Sequence, residues 1–344
     1  MIRVVVLIYS HAGFGRHVQY PVGAELPFKN MEIVATTSRA TVDAVECRRV
    51  RLARKTMLCH RRFTPEEALE EVRHLQALNH CHIVRLVGSY AQGKYLSILT
   101  YPVAGYDLKT FLAETEKSPY LIDRSNALTV GFSCLSAAIE YVHAAGVKHM
   151  DIKPQNILVD PAHHDSLCGW SLHHFLFYLT DFGISRFVQD LESSETDGFS
   201  QRTLMYCSPE VAAGLRRGRS SDIFSLGCVF AEMLTCIARK SQTEFRCHRA
   251  DDGETFHDNL PRVIEWIDDL STIDLELSMM LTTGPVHDPL ALTFEPGHAE
   301  PAKTVIKQML QEQPKDRPTA ADLAKVFPRW ACCSSGPQPF VRVA

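Results

Sequence analysis

From Ser221 to Leu234 the chain reads Ser-Asp-Ile-Phe-Ser-Leu-Gly-Cys-Val-Phe-Ala-Glu-Met-Leu, apolar on nearly every side of a helix. A helix that is hydrophobic all round has to be enclosed by protein, so a sizeable helical body must form around this one. The flanking sequence agrees. From Leu108 to Trp330 it is mostly helical, whereas Glu32 to about Leu99 is strand-like with one clear helix, which predicts a small α+β part before a larger helical one. Between them Tyr101-Pro102-Val103-Ala104-Gly105 interrupts both patterns and is the candidate linker. A second helix is predicted from Leu128 to His143, with Phe132, Leu135, Ile139 and Val142 on its apolar face and Gly146 as its stop. With 344 residues, 45% apolar and 22% charged, the chain has enough apolar mass for one large or two modest cores, and disorder is excluded for most of it. The polar stretch Ser241 to Glu254 and the Pro-, Gly- and His-rich stretch Gly284 to Pro301 are expected to be loops or poorly ordered insertions.

Charge narrows the function classes. Lys and Arg number 36 against 40 Asp and Glu, a net charge of -4, so no overall basic field exists to hold nucleic acid and no nucleic-acid partner is expected. Eleven cysteines carry no Cys-x-x-Cys pair and no compact disulfide framework; they are expected to be reduced thiols of an intracellular protein, cytoplasmic or nuclear. The apolar run Val4 to Tyr9 is short for a signal-peptide core and far short of a membrane span, so no membrane partner is expected. Arg3 and the small residues near Ala12 leave a secondary secretory reading.

The helix in the first part has a well-specified start at Thr64-Pro65-Glu66-Glu67, where Thr64 can cap, Pro65 suits the first helical position and Glu67 can complete a capping box. Ala68, Val72, Leu75 and Leu78 form its apolar stripe, and Glu71 falls on the same side. A carboxylate there needs a cation, because burying it unpaired is expensive. Further on, His149-Met150-Asp151-Ile152-Lys153-Pro154-Gln155-Asn156 puts an acid, a base and an amide close together, and Thr180-Asp181-Phe182-Gly183 adds another acid. Asp151 can accept a hydroxyl proton, Lys153 can neutralise a transferring phosphoryl group, and Asn156 with Asp181 can supply oxygen ligands to Mg²⁺. Those are the parts needed for phosphoryl transfer.

At these residues the chain resembles the eukaryotic protein kinase family, whose catalytic loop reads H-R-D-x-x-x-x-N and whose metal-binding turn reads D-F-G. The resemblance extends to Leu52-Ala53-Arg54-Lys55, similar to the family's A-x-K strand, to Cys207-Ser208-Pro209-Glu210, similar to its A-P-E motif, and to Asp316-Arg317-Pro318. It implies an α+β, two-lobed fold, with an N-terminal extension at 1–30, a kinase domain at 31–330 (N-lobe about 31–100, C-lobe about 101–330) and a tail at 331–344. It implies that Lys55 holds ATP and pairs with Glu71, and that Arg317 pairs with Glu210. It makes Leu99 the gatekeeper, places Tyr101 and Asp107 against the nucleotide, and has Ala53 and Leu158 sandwich adenine. Asp222 would brace the catalytic loop, and Leu75, Leu86, His149 and Phe182 would stack to link the lobes. Lys153 together with Thr203 resembles the serine/threonine class, so the implied partner is a protein with Ser or Thr acceptors, and the implied cofactors are ATP and Mg²⁺. Stretches such as Ile83 to Tyr90 are similar to fungal members.

Two departures stand out. The family's catalytic-loop arginine is Met150 here, so no guanidinium at that position can bind an activation-segment phosphate. The acidic residues Asp190, Glu192, Glu195 and Asp197 are a candidate substitute, against the plainer reading of a solvated loop. The glycine-rich phosphate loop has two possible placements. Ser10 to Gly15 has the better residues but lies 40 positions before Lys55, and Ala35 to Val42 contains no glycine but leaves 15 positions between Ala40 and Lys55, which suits a hairpin. Spacing favours the second, with Ala35, Ala40 and Val42 at the phosphates and residues 1–30 dispensable for nucleotide binding. The insertion His163 to His174 has imidazoles and a thiol but lacks usual zinc spacing, and vicinal Cys332-Cys333 is expected to be inert. The degenerate loop leaves a pseudokinase scaffold as the competing function. A small-molecule phosphotransferase would share the two lobes, but Ser208-Pro209-Glu210 and Arg317 argue against it.

Overall fold

The computed structural model describes residues 17–36, 40–60, 64–117, 121–161, 175–182, 186–187, 204–215, 217–250, 253–272, 275 and 299–327, with backbone only at 66–68, 121–123 and 186–187. Its N-terminal part is a six-stranded sheet of β1 (His17–Tyr20), β2 (Lys29–Thr36), β3 (Ala40–Cys47), β4 (Val50–Leu58), β5 (Arg85–Gln92) and β6 (Tyr95–Tyr101), in spatial order β1-β5-β6-β4-β3-β2. Helix α1 (Pro65–Ala77) lies between β4 and β5 and starts on its proline, where the missing N–H costs nothing. Its Val72 and Leu75, and Leu78 just after it, are buried in the core that runs beneath the sheet.

After β6 a short β7 (Tyr106–Asp107) leads into the helical part: α2 (Leu108–Thr115), α3 (Leu121–Ala144), α4 (Pro209–Ala212), α5 (Arg219–Ile237), α6 (Gln242–Arg249), α7 (Leu260–Asp269), α8 (Ala299–Met309) and α9 (Ala320–Val326). Strands β8 (Val147–Lys148), β9 (Ile157–Pro161), β10 (Phe175–Leu179) and β11 (Arg186–Phe187) form two small sheets on its upper face, β10-β9-β7 and β11-β8. The architecture is α+β and two-lobed. Helix α5 contains the run from Ser221 to Leu234, and apart from Ser225 and Glu232 that run is buried. Helices α3 and α5 are long and apolar enough to cross a bilayer, yet their surfaces are spent on protein: Phe132 of α3 packs edge-on to Phe230 of α5 at 4.7 Å and stacks on Phe327 at 5.2 Å. Gly146 has φ +78°, the left-handed conformation that ends α3. The lobes are tied through backbone, with Val84 N donating to Leu179 O at 3.0 Å and Leu179 N donating to His82 O at 2.9 Å.

Two expectations need correction. Residues 17–30 are part of the N-lobe: β1 pairs in parallel with β5, and Lys29 and Asn30 begin β2. Val18, Tyr20, Leu26 and Phe28 pack on a second core on the outer face of the sheet, built from Val45, Cys47, Val50, Leu52, Val87, Tyr90 and Leu99. Deleting residues 1–30 should therefore destabilise the lobe by several kcal/mol, at roughly 1 kcal/mol for each half-buried apolar side chain lost from the cluster, read as a lower urea midpoint. An unchanged midpoint would show that this cover contributes nothing. The second correction is α6, which falls in the polar stretch expected to be a loop. Ser241 and Glu244 form a capping box, and the helix buries Phe245 and Arg249. Of the second predicted loop, Ala299 to Pro301 opens α8, and the rest lies outside the described residues. Also outside them are Ser10 to Gly15, the 163–174 insertion, the acidic residues from Asp190 to Asp197, Thr203, and the tail with Cys332-Cys333.

Candidate active site

The pleat of the sheet decides which side chains can meet at the site, because alternate residues of a strand face opposite sides. Lys55 of β4 lies opposite Val42 of β3 and Ile98 of β6, and Ala53 lies opposite Ala44 and Thr100. On β2, Ala35 lies opposite Val42, and Ala40, two residues before Val42, shares that face. Ala35, Ala40 and Val42 thus share the face of Lys55, and Thr36 pairs with Thr41 at the end of the β2–β3 ladder nearest residues 37–39. Leu99 is not on this face. It lies opposite Arg54, is 1% exposed and belongs to the outer core, and Tyr101, two residues on, packs against that same core. The residue of β6 that faces the site beside Ala53 is Thr100. A one-residue slip in a strand moves a side chain to the other face, and nothing in the sequence of Ser97-Ile98-Leu99-Thr100 marks the register.

Below this face Lys55 Nζ donates to both carboxylate oxygens of Glu71, at 3.0 and 2.8 Å, and to Asp181 Oδ1 at 2.7 Å. The cation required by the buried Glu71 is Lys55. Desolvation would lower the Lys55 ammonium, but Asp181 and Glu71 together raise it well above its ordinary value. Burial pushes the Glu71 carboxyl up against the pull of Lys55, whereas Asp181, despite desolvation, is held at about 2 by Lys55.

The catalytic-loop candidates are fixed from α5. The Asp222 carboxylate accepts from the backbone N–H of His149 at 2.9 Å and of Met150 at 2.7 Å, and lies 2.9 Å from His143 Nε2. Met150 has φ +68° and Asp181 φ +64°, two non-glycine residues in the left-handed region, both flanking the site. Lys153 Nζ donates to Asp151 Oδ2 at 2.6 Å, and Asn156 Nδ2 donates to the Asp151 carbonyl at 2.8 Å and to its Oδ2 at 2.9 Å. That turns Asn156 Oδ1 away from Asp151. Thr180 N donates to Asn156 O at 3.0 Å, which brings the segment carrying Asp181 beside the loop. Phe182 is fully buried, its ring 4.6 Å from that of His149, in the same core as Leu75 and Leu86.

The remaining candidates sit at the edges. Asp107 caps α2, accepting from Thr110 N at 2.7 Å, and lies opposite the half-buried Leu158 across β7 and β9. Arg317 forms a bidentate pair with Glu210, Nη1 to Oε1 at 2.7 Å and Nη2 to Oε2 at 2.8 Å, with the guanidinium fully buried. Beside Asp151 is a hollow lined by Ile152, Tyr206, Cys207, Val211 and Arg217. Sequence patterning missed three residues here. These are Thr100, His143, whose contact with Asp222 spans 79 positions, and Arg249, which lies beneath Met205 and Tyr206.

Comparison with known proteins gives the same outline. Residues 36–326 match the family model described as protein kinase domain. The chain is 29% identical over 198 residues to serine/threonine-protein kinase RUNKEL of Arabidopsis thaliana, covering 57% of this chain and 12% of the relative. It is 28% identical over 262 residues to mitogen-activated protein kinase kinase kinase 2 of the same plant, covering 76% and 32%. It is 25% identical over 272 residues to that plant's cyclin-dependent kinase E-1, covering 74% and 54%. In each case the match spans little more than half of the relative's length, or less.

Proposed function

The chain belongs to the protein kinase family, and from that premise we propose that it is an ATP- and Mg²⁺-dependent kinase acting on serine and threonine hydroxyls of proteins. The observation that carries the proposal is the assembly, in one cleft, of Lys55 with Glu71 and Asp181 and of Asp151 with Lys153 and Asn156. A chain with a purely scaffolding role has no need of all six.

Each group has a task its surroundings suit. Lys55, kept protonated and in place by two carboxylates, holds the α- and β-phosphates. Asn156 Oδ1 and the Asp181 carboxylate are hard oxygen donors and fit Mg²⁺, which when bound neutralises charge on the phosphates. Asp151 lines the small hollow beside Tyr206 and Cys207, and its carboxylate orients the hydroxyl of an acceptor chain and takes its proton. Lys153, already on Asp151, steadies the γ-phosphoryl group as charge develops. Ala53 and Leu158 enclose the adenine, Thr100 stands at its edge in place of Leu99, Asp107 reaches the ribose, and Ala35, Ala40 and Val42 cover the phosphates. Lys153, with Thr203, favours hydroxyls of serine and threonine over tyrosine.

Incubation with Mg²⁺, γ-labelled ATP and a peptide library should give phosphoserine and phosphothreonine. Phosphotyrosine as the main product would overturn the substrate class. The absence of glycine from Ala35 to Val42 favours a nucleotide-poor scaffold instead, and no labelled product at all would establish that reading.

Met150 leads to a separate prediction. With no arginine at that position to dock a phosphate, treatment with phosphatase should change turnover by less than about twofold. A large loss restored by autophosphorylation would show that another cation binds the phosphate.

A further inference from the structure

Residues 241–250 and 253–259, which follow α5, include Arg249 and Phe256, which pack against the short segment 204–207. Phe256 N donates to Met205 O at 3.0 Å, and the Phe256 ring lies 5.4 Å from that of Tyr206. From α5, Ser225 Oγ donates to Tyr206 O at 2.8 Å, and the Tyr206 hydroxyl donates to Glu232 Oε1 at 2.9 Å. At the centre is Arg249, 2% exposed, its guanidinium 3.9 Å from the centroid of Phe256 and 5.3 Å from that of Phe245, with Nη2 3.8 Å from Met205 Sδ. Its Nε and Nη1 make no hydrogen bond among the described residues.

A buried cation with unmade hydrogen bonds is costly. Two aromatic faces and the carboxylate of Glu232 offset that cost. Burial raises the Glu232 carboxyl to about 7, and Arg249 is the leading charge that opposes the rise. The arrangement thus binds α6, the turn at Phe256 and the middle of α5 to one place, Met205 and Tyr206. That place borders the hollow beside Asp151, where Tyr206 and Cys207 form one wall. On the kinase reading, a protein chain presenting its hydroxyl to Asp151 passes close to this segment.

We propose that Arg249 is a positioning residue for protein-substrate binding: by clamping Phe256 and Met205 it fixes the wall of the hollow on which the acceptor chain lies. The inference rests on the kinase reading given above. The clamp is built from the chain itself, so this wall is held without a phosphate, which suits a catalytic loop that carries Met150.

The test compares wild type, Arg249→Met and Arg249→Lys with an acceptor peptide. Arg249→Met should raise KM for the peptide about tenfold, because the wall loses its fixed position, while KM for ATP moves by less than about twofold. Arg249→Lys keeps the charge near Glu232 but not the flat stack, and should fall between. Amide exchange at residues 204–207 should quicken in both variants. An active Arg249→Met with unchanged peptide KM, or a fall in kcat alone with unchanged exchange, would overturn the proposal. If Arg249→Met does not fold, Arg249→Lys decides by the same two readouts. A wild type that transfers no phosphate would instead overturn the kinase reading, and unchanged exchange in Arg249→Lys would still overturn the clamp by itself.

Discussion

Replacing Lys55 by Met should lower phosphoryl transfer by about a thousandfold while leaving the fold intact, the scale set by removing one preorganised charge from a site where charge develops. Methionine matches the length of the lysine stem, so packing against the sheet is kept and the ammonium alone is lost. The loss has a second consequence. Glu71 and Asp181, now bridged by Lys55, would face each other without a cation, and the Asp181 carboxyl would rise from about 2. The variant should therefore bind ATP more weakly, and lose Mg²⁺ binding at Asp181 at a higher pH than wild type as acid is added. Asp181→Ala should lose transfer to the same degree, with the pairing of Lys55 and Glu71 kept. Isothermal titration with ATP and a steady-state assay separate the two. Turnover equal to wild type in both variants would remove the proposed roles.

The largest effect on stability is expected at Asp222. Its carboxylate serves the backbone N–H of His149 and Met150 and contacts His143, all within the interior. Asp222→Ala would leave these groups buried and unpaired, at a cost of about 3 to 5 kcal/mol, measured as a shift of the denaturation midpoint. Burial pushes the Asp222 carboxyl up, but the hydrogen bond with His143 and the neighbouring donors hold it below its ordinary value. A group depressed in this way contributes stability above its unfolded value and loses it as pH falls through the folded one. Wild type should accordingly lose stability in acid over that range, and the alanine variant should lack this part of the loss. Equal midpoints at neutral pH would show that the loop is held by other contacts.

The parts legible in the sequence were those whose signal is local. The all-round apolar run of α5, the proline start of α1 and the Gly146 stop each follow from a few adjacent residues. The motif residues around Asp151 and Asp181 were legible because their chemistry is concentrated, and the fold brings them within hydrogen-bond distance. The misses are non-local or finely balanced. The pairing of β1 with β5 joins residues 72 positions apart, as in the contact of His17 with Ser89, and no local pattern encodes a parallel edge strand. The orientation of Leu99 depended on one step of strand register, since Ile98 and Leu99 are equally apolar and both bury. The stretch holding α6 reads as a loop because its buried face consists of Phe245 and an arginine, and hydrophobic periodicity does not count an arginine. Its start, Ser241-Gln242-Thr243-Glu244, was a capping signal in plain view.

The central claim is that this cleft transfers phosphate, and its most direct test is one assay on two proteins. Wild type and Asp151→Asn are incubated with Mg²⁺, γ-labelled ATP and a serine- and threonine-containing peptide, and label in the peptide is counted. The substitution keeps the size of the side chain and the fold, and removes the carboxylate that takes the hydroxyl proton. Label in the peptide from wild type, with Asp151→Asn at the no-enzyme background, is the predicted result. Equal label from the two proteins, whether high or absent, would contradict it.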